Sequence, residues 1–299
     1  MEFMNELISK QVLADLAEAI KVNVHAAIIE DLSGTGSDAK DFTAKLIAPS
    51  QLAQASIISR EPAVICGIPW VKECFKQIAP SVAINWQVKE GELVKTNQTL
   101  CTLKGRAHEM LSAERCALNF LQTLSATATA AKQYVEAIKG TKARILDTRK
   151  TLPGLRIAQK YAVTIGGGLN QRIGLYDGIL IKENHIAAAG SIEAVLAEAN
   201  KIAAQQGNDL SIQIEVENLA QLESALNAGA TLILLDNFET ALLKEAVALN
   251  ANRATLEASG GINLSNVREI ALTGVDRISI GGLTKNIQAI DLSMRFSNI

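Results

Sequence analysis

The stretch SIQIEVENLAQLESALNAGATLILLDN, residues 211–237, decides the fold. An apolar run at 212–216 alternates with polar residues. Helical spacing of Leu and Ala follows over 219–228, then Gly229 and a second apolar run at 231–235 that ends in Asp236-Asn237. Two strands joined through a helix are parallel, because an antiparallel pair needs only a tight turn between its strands. The same texture recurs on both sides. Strand-like runs stand at 143–147 (ARILD), 178–182 (GILIK), 254–258 (ATLEA) and 277–281 (RISIG), with helical segments at 191–205, 239–249 and 264–273. Regular alternation of this kind specifies an α/β fold with a parallel sheet. Six strands, with a seventh expected near 163, predict an incomplete (β/α) barrel of six or seven parallel strands rather than an open doubly wound sheet. No GxGxxG follows any strand, and Gly166-Gly167-Gly168 is a loop triplet of different spacing, which argues against a dinucleotide fold.

Upstream the texture differs. Residues 4–32 carry helical periodicity, and Ser33 to Asp38 read as a loop. From 42 to 111 short β-like runs dominate (AKLIA, ASIISR, AVICGI, VAINWQV, LVKTNQTLCTLKG), interrupted by one helix near 69–78. This predicts an N-terminal α+β sandwich domain over 1–115. One long helical stretch or two begins at 112, the barrel domain occupies 116–285, and a tail at 286–299 is expected to pack back on the N-terminal domain. The segment INWQVKEGELVKTNQTLCTLKG has the rhythm of a lipoyl or biotinyl carrier. It lacks a hairpin-tip Lys flanked by small or Met residues, which argues against that reading.

Composition narrows the class. With 48% apolar residues in 299, the chain can bury one large core or two moderate ones. A net charge of −2 provides no global field for nucleic acid or an acidic membrane. The start, MEFMNELISKQ, mixes acids with apolar residues and predicts no signal peptide, and no apolar run approaches the ~20 residues of a membrane helix. Cys66, Cys74, Cys101 and Cys116 form no CxxC pair and read as reduced thiols. The expectation is a cytoplasmic protein with neither nucleic-acid nor membrane partners.

Chemistry in such barrels gathers at the C-terminal ends of the strands. Those ends hold cations first (Thr148-Arg149-Lys150, then Lys182-Glu183-Asn184-His185), carboxylates next (Glu215, Glu217, Asp236), and glycine turns last (Ser259-Gly260-Gly261; Ser279 to Gly281-Gly282). Glycine turns after the last two strands let backbone N–H groups converge on phosphate, or else only close tight turns. Strand alternation puts Gln213, Glu215 and Glu217 on one face, and Leu232, Leu234 and Asp236 on one face. If both faces point inward, Glu215 and Asp236 meet at the mouth, where two acids beside phosphate suggest Mg²⁺. Between 142 and 182 stand Lys142, Arg144, Arg149, Lys150, Arg156, Lys160, Arg172 and Lys182, against few acids. Without aromatic stacking residues to mark RNA, that cluster reads as a trap for a small polyanion.

The segments TRKTLPGLRIAQKYAV, GGGLNQRIGLYDGILIKENH, ERCALNFLQTLS, EVENL, LILLDNFE, EASGGI, GVDRISIGGLTK and EDLSGTGSDAKDFTAKLI together resemble the quinolinate phosphoribosyltransferase (decarboxylating) family, also called nicotinate-nucleotide pyrophosphorylase. The resemblance covers nearly the whole chain. It implies a glycosyltransferase of the pentosyltransferase type in NAD biosynthesis, and an obligate homodimer with active sites at the interface. The implied reaction joins quinolinate to 5-phosphoribosyl diphosphate with Mg²⁺, releasing diphosphate and CO₂. By the same resemblance Arg115, Arg149, Arg172 and Lys182 hold the pyridine carboxylates, with Arg115 delivered from the other subunit. Lys150 lies toward the diphosphate and ribose, Glu215 and Asp236 serve ribose hydroxyls and metal, and Ser259-Gly260-Gly261 with Gly281-Gly282 hold phosphate. Thr148 and Ser279 join the substrate-binding set, and Lys285 supplies a cation near the leaving group. Many relatives carry His where this chain has Gln171, whose amide is expected to donate to a substrate carboxylate without adding charge. A paralogue found with molybdate transport genes, a nicotinate phosphoribosyltransferase, and a non-catalytic phosphoribosyl sensor are the competing readings. The density of cations favours a dicarboxylate over the first two, and the retained acids favour catalysis over the third.

Overall fold

The structure is a computed structural model and describes residues 10–206 and 210–297. In chain order the strands are β1 (Leu52–Ser59), β2 (Ala63–Val64), β3 (Ala83–Trp86), β4 (Leu93–Val94), β5 (Thr99–Arg106) and β6 (Arg144–Leu146), then β7 (Gly178–Ile181), β8 (Ser211–Val216), β9 (Leu232–Asp236), β10 (Thr255–Ser259), β11 (Arg277–Ser279) and β12 (Leu292–Phe296). They divide between two compact units. One gathers residues up to 132, 151–167 and those from 283 onward; the other holds 133–150 and 168–282.

In the first unit β12-β1-β5-β3 form an antiparallel sheet, and β2 pairs with β4. β1 alternates buried and exposed positions (Ala53, Ala55 and Ile57 inward), as a strand with one covered face must. The C-terminal segment supplies an edge, Ser59 to Ala55 pairing with Leu292 to Phe296. The helix Lys10–Leu32 matches the expected periodicity from residue 10, and the part expected at 4–9 lies outside the described residues. The run AKLIA, read as β-like, instead forms a 3-10 turn at Ala44–Leu46, where the Asp41 side chain accepts the Ala44 N–H and holds the backbone out of a strand. Of the one helical stretch or two expected from 112, the structure has one, the helix Ala107–Ala137. Its Ser125 and Thr129 hydroxyls accept the Cys66 and Val64 N–H groups. The helix Ile68–Ile78 begins on the Glu90 carboxylate, which accepts from Gly67 and Ile68 N–H at 2.8 and 3.1 Å.

The second unit carries the parallel sheet in the order β6-β11-β10-β9-β8-β7. Each successive strand from β7 to β11 lies beside its predecessor, and β6 closes against β11. Among the described residues the ladder ends at β6 and β7 without joining them, so the barrel is incomplete. It has six strands. The seventh expected near 163 is absent, because 163 lies inside the helix Arg156–Ile165, in which every residue from 158 to 164 is buried. After that helix the chain makes only an isolated bridge, Leu146 to Leu169.

Candidate active site

The C-terminal ends of the six strands collect most of the residues singled out from sequence. Past β6, the Thr148 hydroxyl accepts the Lys150 N–H at 3.1 Å. A methyl group at Gly281 would stand 3.0 Å from Lys150 Cδ and 3.6 Å from Thr148 Oγ1, so the turn after β11 lies directly against these two side chains. The turn after β10 is similarly close to that after β9. A Cβ at Gly260 would collide with the Asn237 side chain, Gly260 and Gly261 both have positive φ (+95° and +62°), and Asn237 N donates to Ser259 O at 2.9 Å. Only glycine fits at 260.

The register fixes the acids. Glu215 on β8 stands opposite Leu234, and Leu234 opposite Glu257; Asp236 stands opposite Ser259, one row nearer the mouth. Residues in register share a face, so Glu215 and Asp236 do lie on one face, in neighbouring rows. Lys182, at the start of the helix Glu183–Ala189, reaches Glu215 Oε2 at 2.5 Å. His185 Nδ1 accepts the Lys182 N–H at 3.0 Å and fixes that turn. Asp236 accepts from Asn237 Nδ2 at 2.8 Å. Glu217 is exposed.

Arg172 lies on the irregular segment before β7, where its Nη1 donates to Gly178 O at 2.9 Å. Its guanidinium is held below the usual arginine range, first by burial and then by the neighbouring Arg149, with Asp177 opposing. Burial and a like-charged neighbour both favour an anion beside Arg172.

The expected cation cluster is narrower than the sequence suggested. Lys142 and Arg144 sit at the opposite end of β6, Lys142 paired with Asp276 at 2.8 Å, because cations before and after a strand face opposite ends of a barrel. Arg156 and the fully buried Lys160 belong to the helix Arg156–Ile165 of the first unit. Arg115 and Lys285 are also in the first unit, both exposed. Arg115 lines a cleft of about 390 Å³ with Glu30, Asp31, Asn119 and Thr123. Burial pushes the adjacent Glu114 carboxyl up while Arg115 opposes that shift.

The Gln171 amide, expected to donate to substrate, instead donates to Gln213 Oε1 at 2.7 Å and to both oxygens of Glu257 at 3.0 and 3.2 Å. Neither Gln213 nor Glu257 was assigned a role from sequence. Their signal was an amide and an acid on the inward alternation of otherwise apolar strands. Among the described residues no three His, Cys, Asp or Glu side chains converge to hold a metal, and no helix is long and apolar enough to cross a membrane. The donor chemistry still suits Mg²⁺, which binds through one or two carboxylates and takes its remaining ligands from water and phosphate oxygens. Asp236 is the better placed donor, since Glu215 is engaged by Lys182.

A parallel barrel whose strand ends carry cations, then acids, then glycine turns has the donor chemistry that suits an enzyme of small polyanions. The chain belongs to the quinolinate phosphoribosyltransferase family: residues 41–125 match "Quinolinate phosphoribosyl transferase, N-terminal domain" and 127–295 match its "C-terminal domain". It is 38% identical over 266 residues to a probable nicotinate-nucleotide pyrophosphorylase [carboxylating] of Bacillus subtilis, covering 89% of each chain. With quinolinate phosphoribosyltransferase [decarboxylating] 1b of Nicotiana tabacum it shares 35% identity over 280 residues, covering 88% of this chain and 79% of that one. The solved nicotinate-nucleotide pyrophosphorylase of Francisella tularensis superposes with a TM-score of 0.88 at 39% identity, covering 94% of this chain and 96% of that chain.

Proposed function

We infer that this chain transfers the phosphoribosyl group of 5-phosphoribosyl diphosphate to quinolinate with loss of CO₂, giving nicotinate mononucleotide and diphosphate for de novo NAD synthesis. The observation that carries the reading is the grouping of Arg172 with Arg149, the first partly buried and reduced in basicity, on the unit that also presents Lys150 against the Gly281 turn. A pyridine dicarboxylate supplies two anionic groups to such a site through bidentate donors.

In this reading Arg149, Arg172 and Lys182 bind the two carboxylates, and Lys150 with Thr148 binds the diphosphate and ribose. Glu215 and Asp236 hold the ribose hydroxyls. Ser259, Gly260, Gly261, Ser279, Gly281 and Gly282 receive phosphate, and Lys285 adds a cation for the leaving group. Asp236, with Glu215, would hold Mg²⁺, which when bound neutralises charge on the departing diphosphate. As diphosphate leaves, the ribose C1 gains positive charge that the two acids stabilise electrostatically. The pyridine nitrogen attacks C1 with its lone pair and carries no proton, so no general base is required. The resulting pyridinium accepts the electron pair left when the C2 carboxylate departs as CO₂, and that carbon then takes a proton.

The same proposal includes a cytoplasmic homodimer in which Arg115 enters the neighbouring subunit's site. Incubating purified protein with quinolinate, 5-phosphoribosyl diphosphate and Mg²⁺ should yield equal amounts of nicotinate mononucleotide and CO₂. Comparable turnover of nicotinate in place of quinolinate would overturn the assignment.

A further inference from the structure

We propose that Glu257 and Gln171 act as a positioning pair for the dicarboxylate pocket: Glu257 fixes the Gln171 amide, and that amide fixes the backbone carrying Arg172. The proposal rests on the quinolinate reading above.

Glu257 is 0% exposed, and its side chain accepts from neutral amides: Gln171 Nε2 at 3.0 and 3.2 Å and Gln213 Nε2 at 3.1 Å. A buried carboxylate persists only where hydrogen bonds replace water, so these contacts are strongly held. The Gln171 oxygen points the other way and accepts the Arg172 N–H at 2.9 Å. The Arg172 backbone N–H can only donate and takes the amide oxygen, which leaves Nε2 to donate to Gln213 Oε1 and Glu257, so one orientation of the Gln171 amide satisfies its neighbours. Flipping it would set oxygen against oxygen and N–H against N–H.

The surrounding segment shows why such a clamp is needed. Residues 170–177 belong to no helix or strand, yet four successive N–H groups are each accepted by a side chain. Gln171 N donates to Asp147 at 2.8 Å, Arg172 N to Gln171, and Ile173 and Gly174 N to Asp177 at 2.7 and 2.8 Å. Asp147 and Asp177 secure the two ends. The bond at Arg172 itself depends on the buried acid of β10, 86 positions away in sequence. Loss of the pair frees the backbone of one carboxylate-binding arginine while leaving the phosphate turns in place.

The test compares the full-length enzyme with Gln171→Met, Glu257→Gln and the double variant, measuring KM for each substrate, kcat and thermal stability. Gln171→Met should raise the quinolinate KM about tenfold and Glu257→Gln about fivefold, with the 5-phosphoribosyl diphosphate KM within about twofold. The double variant should be little worse than Gln171→Met, because both changes break one chain of bonds. Equal rises in both KM values, an unchanged quinolinate KM in folded variants, or full additivity would each overturn the pairing. If Gln171→Met fails to fold, the same KM split in the nearly isosteric Glu257→Gln decides the matter. Failure of the wild-type enzyme to convert quinolinate would refute the assigned function, and this role with it, before any variant is compared.

Discussion

Lys182 Nζ lies 2.5 Å from Glu215 Oε2, and the two side chains differ in exposure, 44% against 10%. The lysine can recover water if its partner is lost, whereas the glutamate cannot. Lys182→Met therefore leaves a nearly buried charge uncompensated and should cost about 1–2 kcal/mol, discounted for the lysine's exposure. Glu215→Gln should stay within about 1 kcal/mol. Urea unfolding of both variants checks the asymmetry, and equal losses would contradict it. An incoming carboxylate must also compete with Glu215 for Lys182, so Glu215→Gln is expected to retain quinolinate binding even as turnover falls.

Asp236 accepts a hydrogen bond from its neighbour Asn237 and stands one register row nearer the mouth than Glu215. Asp236→Ala should lower kcat/KM a hundredfold or more, roughly 3 kcal/mol of transition-state stabilisation. Titration calorimetry of quinolinate alone should show nearly unchanged affinity. A collapse of that affinity would mean the acid supports the cation cluster instead.

Gly281 has no positive φ, so alanine there carries no backbone strain, but its methyl would press on Lys150 Cδ from 3.0 Å. Gly281→Ala is expected to raise the 5-phosphoribosyl diphosphate KM about tenfold while shifting the unfolding midpoint little. Gly260→Ala, which meets both Asn237 and a positive φ, should lose stability as well. Equal melting shifts for the two variants would show that space around Lys150 is not what the glycine at 281 protects.

Arg115 is exposed on the helix Ala107–Ala137, beside Glu30 and Asp31 in the first unit's cleft. If it completes a neighbouring subunit's site, Arg115→Ala should be nearly inactive yet dimeric. Reassociating it with inactive Lys182→Ala should form about half heterodimers, each with one complete site, and recover about a quarter of wild-type activity if sites are independent. No recovery with heterodimers present would exclude that arrangement.

The sequence by itself determined the strand–helix alternation from β7 to β11 and the order of chemistry at the strand ends. Both are written locally: side chains alternate along a strand, apolar residues recur along a helix, and a strand's end follows its last apolar residue. What it left undecided were partnerships between distant positions. Residue 163 became helical because tertiary packing that buries the whole run 158–164 overrode its β-branched preference. Lys142 and Lys150 stand near each other in sequence but at opposite ends of β6, and strand direction, not charge density, separates them. Gln171 turned from substrate toward Glu257 because a carboxylate sealed in the barrel must find donors there. Only the packing of β8 and β10 around it shows which donors those are.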